Sequence, residues 1–171
     1  MHCMSDELTL ERSDLLEFLQ YQRDSVLSIV EGLSEEQWHT SVVPSGWTPA
    51  GFIEHLGGAE YHWFRMVVAG LPLEVSPGDE DEAPYDPTAA FTSNRPSVEI
   101  VENYRKQCQI SDEILANVSM STKPLGRHKS NEEVPSVRWV VLHMIEETAT
   151  HSGHLEIARE LLDGKTGLGH R

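Results

Sequence analysis

Glu147 and His151 stand four residues apart in the stretch Pro135 to Gly164. On a helix that spacing sets them about 40° apart around the axis and about 6 Å along it, side by side on one face. Two side chains so placed suit two ligands of one metal ion. His143 lies one turn before Glu147 and His154 three residues after His151, so four candidate ligands share the register. A mononuclear catalytic site also needs a third protein ligand from another element and an open coordination position. His55, between Phe52 and Leu56, is the best candidate, because an imidazole buried there without a partner is costly. Two histidines and a carboxylate suit zinc, and equally nickel, iron or manganese, since such ligands discriminate weakly. From the residues alone, a carboxylate and a histidine at this spacing are more often hydrogen-bonded neighbours than ligands. The choice among His143, Glu147, His151 and His154 therefore stays open. His62 reads as a surface or supporting residue, and Glu60 as bonded within the bundle or exposed.

The elements that must position these side chains are helices. Val140, Val141, Met144, Ile145, Leu155, Ala158, Leu161 and Leu162 recur at helical intervals, with Ser136 as the cap and Gly164 as the stop. A first helix is expected from about Leu8 to Leu33, its apolar stripe made of Leu8, Leu15, Leu19, Val26, Ile29, Val30 and Leu33, with Arg12 and Arg23 off it. Gly32 closes it. Ser34 to Gln37 has the form of a capping box opening a short helical turn. A second long helix runs from Pro49, capped by Thr48, to Ala69, and a third from Ser97, its own cap, to about Val118. Residues 71–96 carry five prolines and six carboxylates without periodicity, which reads as a solvated acidic crossover ahead of a lid. Residues 119–135 read as a second long connection, and Lys165 to Arg171 as a fraying tail. The expected fold is an all-α four-helix bundle with long crossovers, one domain over 1–171 with its core at about 8–164.

Composition narrows the function. With 28 acidic against 13 basic residues the net charge is −15, which disfavours nucleic acid and anionic membranes as partners. A small-molecule substrate is the expected partner. No stretch resembles a signal peptide or a membrane span, and Cys3 and Cys108 form no metal or redox motif, so a reducing cytoplasm is the expected compartment. Cys108 is expected to face the core. Gly153, inside a helix at a cost of about 1 kcal/mol relative to alanine, suggests close approach of another helix, including one from a second subunit.

Two segments carry a resemblance. Gly46-Trp47-Thr48-Pro49, leading to Glu54-His55-Leu56 and Glu60-Tyr61-His62-Trp63-Phe64, resembles the second helix of the DinB/YfiT-like superfamily. Arg138 to Glu147, with Thr148-Ala149-Thr150-His151-Ser152-Gly153-His154 and the ending from Arg159 to Gly164, resembles the fourth helix of its mini-circle subgroup. The resemblance implies a metal ion held by one histidine of helix two and two residues of helix four. Many relatives have histidine at both helix-four positions. Glu147 at the earlier one is similar to the pattern of the mycothiol-dependent maleylpyruvate isomerase family. Carried over residue by residue, the implied ligands are His55, Glu147 and His151.

A divalent ion there would stabilise a thiolate beside an electrophile. The leading expectation is thus a metal-dependent S-transferase or isomerase using a low-molecular-weight thiol, with Arg65, Arg138 and Arg159 available for its polar end. A hydrolase using metal-bound water, and a non-catalytic bundle with a structural ion, are the alternatives. Relatives that pair, together with Gly153, make a homodimer the expected assembly.

Overall fold

The computed structural model describes residues 2–72, 89–128 and 133–167, with residues 2–8 by backbone alone. Leu8's side chain and residues 73–88 of the acidic stretch lie outside this description. Five α-helices and one π-helical segment carry the described chain, and no strand occurs among the described residues. Helix α1 spans His2–Val30 and ends at Gly32, whose φ of 75° is the left-handed conformation that glycine adopts without strain. Helix α2, Glu35–Trp38, opens with the expected capping box: Ser34 Oγ accepts from Gln37 N, and Gln37 Oε1 accepts from Ser34 N. Helix α3, Pro49–Glu60, is capped by Thr48, whose Oγ1 accepts from Gly51 N.

Helix α3 does not continue as an α-helix to Ala69. From Tyr61 to Val68 it becomes π-helical, with Ala69 N donating to Phe64 O five residues back. The wider turn brings Trp63, Phe64, Val67 and Val68 all inside. Its last carbonyls are covered by the connection at residues 117–136, because Leu125 N donates to Val68 O and Gly126 N to Val67 O. Helix α4 is Ser97–Ala116 and α5 is Val137–Asp163. Ser136 caps α5 as its spacing foretells, but Ser97 is a helical residue preceded by Pro96 and does not cap α4; its hydroxyl bonds the Glu35 carboxylate instead. The described part of the tail is tied down too, with Gly167 N donating to Glu156 Oε2.

Helix α1 packs on α5 and α3 on α4, which gives the helical bundle expected from the periodicity. The core falls into two apolar clusters. One contains Leu19, Trp63, Phe64, Leu115 and Met144, the other Val26, Leu56, Tyr104 and Leu155. Each of the four long elements contributes to both, and between its two contributions each carries buried polar residues: Arg23, Glu60, Ser111, and Thr148 with Ser152. A polar belt thus crosses the bundle at mid-height.

Arg23 is therefore not on an exposed face. It is 2% exposed and grips Glu60, 1% exposed, through two bonds of 2.8 Å, while Nη1 reaches Asp112 at 2.7 Å. Burial works against the Arg23 charge, but attraction to Glu60 and its hydrogen bonds win, and the guanidinium pKa rises above its ordinary value. Leu161, expected in the core, is 58% exposed. Among the described residues, nothing from another element lies within 4 Å of where a Cβ on Gly153 would stand, so no described helix approaches it closely.

Candidate metal centre

His55 comes from the middle of α3, Glu147 and His151 from the middle of α5. Thr48 sets the start of α3 and, through Thr48 N donating to Phe91 O at 3.0 Å, fixes the chain after the acidic stretch against it. The three side chains meet. His55 Nε2 lies 2.8 Å and His151 Nε2 3.2 Å from the same oxygen, Glu147 Oε1. Their side chains are 27%, 12% and 26% exposed for His55, His151 and Glu147, so the cluster is shielded but reachable. Hydrogen bonds from His151 and then His55 hold the Glu147 carboxyl far below the usual carboxylate range, against the opposing effect of burial.

One donor atom from each residue lies within 4.8 Å of the others, close enough to share a cation. The donor chemistry, two imidazole nitrogens and a carboxylate oxygen, is that of open zinc sites. The same nitrogens that hydrogen-bond the carboxylate are those a cation would use, so the cluster fits the ion without rearranging its helices.

An aromatic collar surrounds the cluster. Phe91 stacks on His55 with ring centroids 4.1 Å apart, and Phe52 lies 4.5 Å from His151. Trp47 and His154 pack on Phe52. Phe91 was not singled out by the sequence; the only signal was an aromatic in a polar, acidic stretch. Gly51 was missed as well, although a Cβ there would stand 1.9 Å from Phe91 O, so only glycine lets that segment lie on α3.

The remaining candidates separate from the cluster. His154 is a packing residue of the collar. His143 lies 4.5 Å from Trp63 and stacks on Trp139. His62 is half-buried, with Nε2 2.9 Å from His128 Nδ1, and burial first and the neighbouring imidazole second push its pKa down. Arg138 is engaged by Glu11, and Arg159 by Asp163 and the carbonyls of Ile29 and Glu31 that end α1. Arg159 is thus committed to the end of α1 and is not available for a thiol's polar end, whereas Arg138 keeps Nε without a partner.

A family model described as mycothiol-S-transferase matches residues 14–164. The chain belongs to the mycothiol-S-transferase family. The family is part of the DinB/YfiT-like superfamily, in agreement with the resemblance read in helices two and four. Comparison with curated proteins finds no match. Among solved structures, the crystal structure of the conserved protein of locus from Enterococcus faecalis is similar at a TM-score of 0.61 and 14% identity, covering 90% of this chain and 97% of that one. At that identity the likeness speaks for the fold alone. No described helix is long and apolar enough to cross a membrane.

Proposed function

We propose that this member of the family is a metal-dependent thiol S-transferase in which His55, Glu147 and His151 hold one divalent cation. The donor set favours zinc, with nickel, iron or manganese as substitutes. The observation that carries the reading is the convergence of three donors from two helices beneath an aromatic collar. The cosubstrate is a low-molecular-weight thiol, mycothiol by the family's name. A bound cation there supplies positive charge that favours thiolate over thiol near neutral pH. The chain's own residues orient that charge: α5 supplies two donors from one rigid face, α3 supplies the third, and Phe91, Phe52 and Trp47 restrict water around them.

Metal analysis and thiol-conjugation assays on the purified protein test this. His55→Ala is expected to reduce bound metal sharply, and full stoichiometry in that variant rejects the ligand set. Turnover of esters or amides without thiol would reassign the site to hydrolysis. A large loss of stability on chelation, with no reaction at saturation, would make the ion structural.

The assembly we propose is a homodimer through the outer face of α5. Leu142, Ile157 and Leu161 are 49%, 58% and 58% exposed there, and Gly153 leaves room for a close crossing. Ile157→Glu is expected to give monomers by sedimentation, while a monomeric unaltered chain would refute the assembly.

A further inference from the structure

Two buried polar atoms in the middle of α5 lack hydrogen-bond partners: Thr148 Oγ1 and His151 Nδ1. Such atoms are uncommon in folded proteins and require an explanation when they sit beside a site. Side chains on a helix lean toward its N-terminus, over the residues three and four positions earlier. For His151 those residues are Thr148 and Glu147. The imidazole uses Nε2 on Glu147, which leaves Nδ1 on the side of Thr148. Thr148 is 0% exposed and adjoins a proposed ligand, yet plays no part in the apolar clusters. The other nearby hydroxyl, Ser152, is already taken by Ser25 Oγ at 3.2 Å. The other buried unpartnered atoms lie on the π-helical segment (Arg65, which has other contacts), on α4 (Tyr104 and Gln107), and at Arg138, near the start of α5.

We propose that Thr148 is a positioning residue for His151 when the site holds its cation: across one buried water its hydroxyl accepts the Nδ1 proton, and so holds the ring with Nε2 turned to the cation shared with His55 and Glu147. The inference rests on the ligand set proposed above. A metal-binding imidazole needs its far nitrogen protonated and held, because that hydrogen bond sets both ring orientation and tautomer. Thr148 is the one residue of α5 that places an uncommitted acceptor there, and it does so from inside the bundle, where solvent cannot compete. One bridging water there would satisfy both orphaned atoms.

The test compares Thr148→Val, which keeps the shape and removes the hydroxyl, with Thr148→Ser, which keeps the hydroxyl. Zinc affinity by competition with a chromophoric chelator is expected to fall roughly 10–100-fold in the valine variant and to stay near the unaltered value in the serine variant. In the zinc-loaded protein the His151 Nδ1 proton is expected as a slowly exchanging NMR signal in the unaltered and serine chains and as a rapidly exchanging one in the valine chain. Should valine disturb folding, seen as a lowered thermal midpoint, Thr148→Ala provides a second chain without the hydroxyl. Unchanged affinity and unchanged Nδ1 proton exchange in both hydroxyl-free variants overturn the proposal, and so does an equal loss in the serine variant. His151→Ala separates the two layers: if it binds zinc fully, the ligand set itself is wrong, and if it loses zinc while Thr148→Val does not, only the role of Thr148 fails.

Discussion

Glu60→Leu should unfold the bundle more easily than any surface change. Arg23 would then keep Asp112 on Nη1, while Nε and Nη2, which now donate to Glu60 at 2.8 Å each, would face an apolar side chain. Breaking a buried pair from one side costs about 3–5 kcal/mol, because a charge is left without compensation. Asp112 is 56% exposed and keeps part of that charge satisfied, which places the expected loss at the lower end, about 3 kcal/mol. For a chain of this length that is a fall in thermal midpoint of about 6–12 °C. The double variant Arg23→Met with Glu60→Leu removes both charges and should recover most or all of the loss, since apolar replacement of a whole buried pair is often neutral or stabilising. Urea titrations of the unaltered, single and double chains give the three free energies. A single-variant loss under about 1 kcal/mol, or a double variant less stable than the single, would refute the reasoning.

Further outcomes follow from the same geometry. Burial pushes the Cys108 thiol up to about 12, so in a Cys3→Ser background a disulfide reagent at pH 8 should modify native protein far more slowly than urea-unfolded protein; equal rates would contradict the burial. The His62 pKa is depressed in the folded chain, so the unfolded chain binds more protons and stability falls as pH drops below about 6.5. His62→Gln should flatten that acid limb of the stability profile, and an unchanged limb would exclude His62 as its source. Gly51→Ala forces the Phe91 carbonyl away from α3 and should lift Phe91 off His55, readable as a shift of the His55 ring protons in NMR.

The helices were legible because their signals are local. Ser34, Thr48 and Ser136 cap where a short polar side chain precedes an apolar period, and Gly32, Gly70 and Gly164 end helices at positive φ. Glu147 and His151 were legible as a pair through spacing within one helix, but choosing them over His143 and His154 needed the partner His55, which no local pattern supplies, and then the family resemblance. What stayed hidden depends on contacts distant in sequence. Arg23 meets a carboxylate 37 residues away, so its own helix pattern marks it only as polar. The π-helical turn after Glu60 answers to the packing of Trp63 and Phe64 and leaves no sign in propensity. Arg138 and Arg159 looked free because their partners, Glu11 and the end of α1, lie more than a hundred residues earlier.

The polar belt changes what counts as a unit of this bundle. Because every long element feeds the apolar cluster on either side of it, the natural pieces are two ends, each made of four half-helices, and not individual helices. Opening should therefore run end by end, with amide exchange changing abruptly within a helix at the level of Arg23, Glu60, Ser111 and Thr148. His55, Glu147 and His151 sit near that seam, and an ion bound there would rivet the two ends together.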